Sequence, residues 1–226
     1  MLRWLMFLAV LLYATVPLAR GDQYWVAWEG NDFPENEGWL REGDGTRPTR
    51  TLHDGVMTLD SLASDESEDF YRVYGISDPE PGEEFVVEWG LRVNQVDWDN
   101  PNFPYDPGWS VNSAGGWRAV FAIGVDELHN LLEQVDVRFE PGVFHAWQFR
   151  SSDMRTFTIH LDRKFVSEGA FVATGLESRM SWGDLASGPT SSVDWDYFRF
   201  GVVPEPTMLS FLPVFAVVIS RARRRP

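Results

Sequence analysis

The chain has 226 residues, 44% of them hydrophobic and none of them cysteine. That length suits one domain with a substantial core, while a disulfide framework and thiolate chemistry are excluded, so packing alone must hold the fold. With 34 acidic against 19 basic residues and a formal charge of −15, the chain lacks the clustered Lys and Arg that a phosphate backbone requires, which argues against nucleic acid as a partner.

In chain order, Arg3 precedes the apolar run LMFLAVLLYATVPLA, and Ala19 and Gly21 stand three and one residues before a cut ahead of Asp22. A basic start, an apolar centre and small residues at a cleavage point form the pattern of a secretory signal peptide over residues 1–21. One domain over residues 22–202 is expected next. Taking Glu205 from the acidic total and Arg3, Arg20, Arg221, Arg223, Arg224 and Arg225 from the basic one leaves 33 against 13. The domain is therefore more acidic than the whole chain, which suits an exterior facing water or divalent cations.

Strand patterns run through that domain. From Glu84 to Asn94, Phe85, Val87, Trp89, Leu91 and Val93 share one face, while Glu84, Glu88, Arg92 and Asn94 lie on the other. Period-two alternation of that length predicts a strand with one buried face. Trp117, Ala119, Phe121, Ile123 and Val125 repeat the pattern, as do Phe157, Ile159 and Leu161 opposite Thr156, Thr158 and His160. Eight further strands are predicted at 24–29, 56–59, 70–74, 135–139, 144–150, 171–173, 178–182 and 193–200. Only residues 127–134 look helical, and that segment is too short to be stable alone. PGEE at 81, EPGVF at 140 and SGPTSS at 187 supply turn chemistry between the runs. Eleven short strands without an internal repeat predict an all-β, antiparallel two-sheet sandwich, with a jelly roll as the specific topology.

At the C-terminus Pro204, Glu205 and Pro206 are followed by the apolar stretch 207–220 and then by Arg221, Arg223, Arg224 and Arg225. The two prolines keep the segment extended and accessible, and the 14 apolar-rich residues fall short of the roughly 20 that span a bilayer comfortably. The arginines would hold that end on the cytoplasmic side. This order over residues 203–226 resembles the PEP-CTERM sorting tail, with its motif, short hydrophobic helix and Arg cluster. The resemblance implies a Gram-negative bacterium with exopolysaccharide, and an exosortase-type membrane enzyme as partner. It implies transient anchoring in the inner membrane, removal of the tail, and a cell-surface or extracellular destination. An ordinary tail anchor without processing is the alternative.

FHAWQFRSSDMRTFTIHLDRKFV, from Phe144 to Val166, resembles the central hairpins of concanavalin A-like, laminin-G-like lectin and glucanase domains. Those domains commonly carry Asp-Gly at the turn where this chain has Asp162 and Arg163. SSVDWDYFRFGVVPEP, from Ser191, is similar to the closing strand of such domains in PEP-CTERM proteins. Together the similarity covers about two thirds of the domain and implies its fold.

Function has to come from a site. The Glu-x-Asp-x-x-Glu strand motif of jelly-roll glucanases is absent, and Glu133, Asp136 and Glu140 have a different spacing and share their strand with Arg138. A solvated strand face accounts for them. His53, His129, His145 and His160 show no metal-ligand spacing, and His145 shares a face with Trp147 and Phe149, as a hydrogen-bonded core histidine does. No nucleophile elbow or phosphate loop is present. No catalytic residue is therefore expected.

Two binding features remain. The stretch 97–117 reads as an irregular loop, with Trp98, Tyr105 and Trp109 among Pro, Asn, Asp and Gly. Aromatic faces beside polar groups can stack on sugar rings and bond their hydroxyls, or the same aromatics can bury one another as a small core. Glu29 ends the first predicted strand while Asp194 and Asp196 share one side of the last. These three are the candidate ligands for a structural calcium ion, against the alternative of solvent-facing aspartates. The expected role is thus that of an exported, non-catalytic protein that binds polysaccharide. A glycan-degrading enzyme of the same fold is the alternative.

Overall fold

A computed structural model describes residues 23–43, 48–63, 69–97, 107–133, 135–185 and 190–204. Among them the chain forms sixteen strands. The first eight are β1 (Gln23–Trp28), β2 (Leu40–Glu42), β3 (Thr49–His53), β4 (Val56–Asp60), β5 (Asp69–Tyr74), β6 (Glu83–Asp97), β7 (Gly108–Asn112) and β8 (Trp117–Ile123). After them come β9 (Glu127–Asn130), β10 (Val135–Arg138), β11 (His145–Ser151), β12 (Thr156–Leu161), β13 (Lys164–Ala170), β14 (Val172–Ala173), β15 (Arg179–Asp184) and β16 (Thr190–Pro204). Each of the eleven predicted strands overlaps one of these.

The strands make two antiparallel sheets. The first runs β13-β12-β11-β6-β16-β4-β3, with β1 also paired to β16; the second runs β10-β9-β8-β7-β15-β5-β2, with β14 paired to β8. Long β6 and β16 lie side by side at the centre of the first sheet, registered from Thr190↔Asp97 to Pro204↔Glu83. Two bulges interrupt that register, the first leaving Asn94 of β6 extra opposite Ser192/Val193 and the second leaving Asp196 of β16 extra between Trp195 and Tyr197. Opposite the second bulge sits Gly90, where a Cβ would lie 2.7 Å from Cε1 of Tyr197. A larger residue there would have to displace the Tyr197 ring, so the bulge and the glycine require each other.

The predicted inward face of β6 is the core face, and Phe85, Val87, Trp89, Leu91 and Val93 are all buried. Seven tryptophans are fully buried between the sheets. Trp182 of the second sheet stacks on Phe198 of the first at 5.0 Å, and Trp109 of the second meets Trp89 of the first at 5.1 Å. These large rings bridge the two layers where no disulfide exists to do so.

Three local expectations change. The helical-looking segment opens as strand β9, because Leu128 joins the core opposite Ile123 and Val137 while His129 faces outward. Tertiary pairing outweighs a helix propensity that four residues cannot express. The supposed loop between 97 and 117 contains β7, whose Trp109 is fully buried and stacked 4.7 Å from Phe121. The β12–β13 hairpin turns through Asp162 and Arg163, with φ of 49° and 67°, so both central residues adopt the left-handed conformation of a type I′ turn without glycine. Asp162 then accepts from the Ala146 N–H and from His145 Nδ1, which ties the turn to β11.

Candidate functional site

The outer face of the first sheet is a web of paired charges. Arg199 donates to Glu88 through Nε (2.9 Å) and a terminal nitrogen (2.7 Å), and Gln148 donates to the other oxygen of Glu88. Arg150 donates to Gln148 at 2.7 Å and also binds Glu84. Farther along, Arg92 and Thr58 both donate to Asp194. Burial pushes the Asp194 pKa up, but the hydrogen bonds from Thr58, Arg92 and Asn94 outweigh it and hold the carboxyl below its usual range. At one end of this sheet a cleft of about 600 Å³ opens beside Glu84, Glu133, Arg150 and Glu168. Glu133 there already accepts the Ala170 N–H at 2.6 Å.

The calcium candidates do not converge. Asp194 is buried and spends its carboxylate on Arg92 and Thr58, Asp196 is exposed at the β16 bulge, and Glu29 pairs with Arg199. Among the described residues no group of three carboxylates or imidazoles could hold a metal ion, so these three do not fit calcium. The bulge and the neighbouring arginines, invisible in the sequence pattern, are the reason. Of the aromatic candidates, Trp109 belongs to the core and offers no ring to a ligand, while Trp98 and Tyr105 lie outside the described residues. Pro204 ends β16, paired with Glu83; Glu205, Pro206, Arg221, Arg223, Arg224 and Arg225 also lie outside them, as does the signal-peptide segment 1–21. Among the described residues no helix is long and apolar enough to cross a membrane. His145 is the hydrogen-bonded histidine that its strand position predicts, held by Asp162 and by the Glu140 carbonyl, each at 2.9 Å. Asp136 contacts His129, and Arg138 contacts Asp126 and Glu127, so that cluster is an ion-paired strand face.

The outer face of the second sheet is built differently. Because Trp109 and Val111 point into the core, Gly108, Ser110 and Asn112 of β7 point away from it. Register places Asn112 directly opposite Arg118 of β8 on one side and Arg179 of β15 on the other. Beside this row lies a strip of small residues, Gly108, Ser110, Ser181 and Gly183, all buried, with the Arg72 side chain reaching over it to donate to Ser181 Oγ. At its margin Arg72 pairs with Glu42. Arg118 and Arg179 are half-buried, yet among the described residues neither has a carboxylate partner, and their Nε atoms are buried without an acceptor. Burial, and then repulsion from Arg179, push the Arg118 pKa down. Asn112 is fully buried, and among the described residues neither its amide nitrogen nor its amide oxygen has a partner.

Such an arrangement offers two cationic forks and an amide, all unspent, on one strip of sheet. Alternation in β8 already assigned Arg118 to the outer side. Its meeting with Arg179 depends on β7 and β15 pairing, which no local pattern announces.

In sequence the chain matches no protein-family model and no curated protein. In structure it superposes on a carbohydrate esterase from the Shiga toxin-encoding bacteriophage phi24B with a TM-score of 0.61 at 9% identity, over 82% of this chain and 100% of that one. It superposes on an endo-1,3-β-glucanase from Streptomyces sioyaensis with a TM-score of 0.52 at 11% identity, over 74% and 90% of the two chains. The fold is an antiparallel two-sheet jelly roll. A sialidase shares this jelly roll over 81% of the present chain and 18% of its own, with a TM-score of 0.51 at 11% identity. At these identities the likeness establishes the fold and leaves the activity to the site.

Proposed function

We propose that this jelly roll is an exported, cell-surface or matrix-associated protein that binds polysaccharide without cleaving it. The observation that carries the reading is the outer face of the second sheet, where Asn112, Arg118 and Arg179 hold polar groups that no described protein group satisfies. Polar groups of this kind suit a ligand rich in hydroxyls. The names of the neighbours, a carbohydrate esterase and a glucanase, agree with a carbohydrate ligand.

Two observations support binding over hydrolysis. The paired-carboxylate strand motif is absent from the sequence. Among the described residues the carboxyl groups with shifted pKa values, Glu35, Asp153, Asp162 and Asp194, all shift down, the opposite of the direction that suits a general acid. The cleft carrying Glu84, Glu133 and Glu168 favours the second reading, a glycan-degrading enzyme. A glycan array run beside reducing-end release assays separates the two: retention without release is the expected result, and release from any retained glycan would replace the first reading with the second.

Export and sorting complete the proposal. The signal-peptide pattern and the Pro204-Glu205-Pro206 tail address the chain across the inner membrane and to an exosortase-type enzyme, with the mature protein lacking the residues after Pro206. Intact-mass measurement of the extracytoplasmic protein tests this. An Arg221–Arg225 end still attached to most of it would reduce the tail to an anchor.

A further inference from the structure

Arg118 and Arg179 stand on the second sheet with no counter-charge among the described residues, in a chain whose formal charge is −15. Carboxylates are abundant in this protein, and the arginines of the first sheet all find one: Arg92 has Asp194, Arg150 has Glu84 and Arg199 has Glu88. Desolvating a guanidinium without an acceptor is costly, and placing two of them together adds repulsion. Leaving a fully buried amide unsatisfied between them adds a further cost. All three costs vanish together if one anion occupies the row.

We infer that Arg118, Asn112 and Arg179 form a subsite for the carboxylate of a uronic-acid-containing polysaccharide. The inference rests on the polysaccharide-binding reading above and names its ligand class. Strand spacing puts the two arginine backbones about 10 Å apart, with Asn112 midway, so two long side chains can converge on one small anion above the amide. A planar carboxylate matches the guanidinium fork with two parallel N–H···O bonds. Its planarity separates it from a tetrahedral sulfate, while the Asn112 amide nitrogen can donate to a carboxylate oxygen and the amide oxygen can accept from a sugar hydroxyl. The acidic remainder of the surface repels polyanions, so retention depends on this subsite and not on diffuse attraction.

The experiment is affinity electrophoresis of the exported protein, as purified from outside the inner membrane, in gels containing polygalacturonate, carboxyl-reduced polygalacturonate, dextran sulfate or neutral glucan. Retention by polygalacturonate, with little by its reduced form or by dextran sulfate, is expected. Arg118→Gln and Arg179→Gln should each weaken that retention about 10- to 100-fold, the range for losing hydrogen bonds to a charged group. Asn112→Asp supplies the missing anion from within. It should abolish retention and raise the melting temperature by about 2–4 °C, as a gained ion pair would in a domain of this size. Retention by neutral glucan alone would overturn the uronate subsite and leave the polysaccharide reading standing, whereas no retention by any polymer, together with a blank glycan array, would overturn both. Equal retention by dextran sulfate, or a melting temperature lowered in Asn112→Asp, would overturn the carboxylate assignment whether or not the arginine variants fold.

Discussion

On the outer face of the first sheet Arg92, Arg150 and Arg199 each donate to a carboxylate, whereas on the second sheet Arg118 and Arg179 flank an unsatisfied Asn112. Both faces lie on the same tryptophan-rich core and belong to the same acidic chain. The difference separates charges that hold strands together from charges that wait for something else. In the first face each donor is matched within the fold, so removing a partner exposes a cost. In the second the cost is already present, and removing an arginine should relieve it. Uncompensated desolvation of this kind is common where a protein meets a ligand.

The comparison breaks most completely through the layer the two faces share. Trp109 lies on the core side of β7, the strand that carries Asn112, and touches Trp89 and Phe149 of the first sheet. Trp109→Ala should cost about 3–5 kcal/mol, a large part of the stability of a domain without disulfides. Chemical denaturation measures it, and a midpoint within error of the parent protein would show that the β7 faces are reversed.

The first face should give a smaller but clear loss. Asp194→Asn removes the charge that Arg92 and Thr58 address and should cost about 1–3 kcal/mol. Its pH dependence sharpens the contrast. The folded pKa of Asp194 lies below its ordinary value of 3.8, so its contribution is fully present above that value and is lost as pH falls through the folded pKa. Asp162, held low by His145 and Ala146 against its burial, adds to the same window. Melting temperatures followed from pH 6 downward should therefore fall more steeply below about pH 4 in the parent protein than in Asp194→Asn. Parallel curves would show that the Arg92–Asp194 contact contributes nothing.

The smallest effect is expected on the second face. Arg179→Gln should change stability by less than about 0.5 kcal/mol, or raise it, because no partner among the described residues is lost and one repulsion disappears. A loss comparable to that of Asp194→Asn would mean that the arginine is structural and that the two faces are alike.

Much of the fold could be read along the chain. Phe85, Val87, Trp89, Leu91 and Val93 alternate so regularly that the buried face of β6 follows from side-chain periodicity alone, and the two-sheet class follows from eleven such strands. β7 was hidden because Gly108–Asn112 adjoins a Pro- and Asn-rich stretch, and its five residues offer too short an alternation to stand out. The Asp194 and Asp196 pair kept its same-side spacing on paper, but the bulge after Trp195 and the reach of Arg92 turned one into an ion-pair member and the other into a solvent-facing residue.

Local sequence determined the absence of disulfides, the acidic balance and the inward face of the long strands, since each depends on composition or on neighbours one or two residues apart. Only tertiary structure decided that Trp109 is core, that Glu29, Asp194 and Asp196 do not share an ion, and that Arg118, Asn112 and Arg179 form one row. Those outcomes depend on which strands pair and in what register. Pairing is chosen by the burial of whole faces between two sheets, so it lies in no single stretch of the chain.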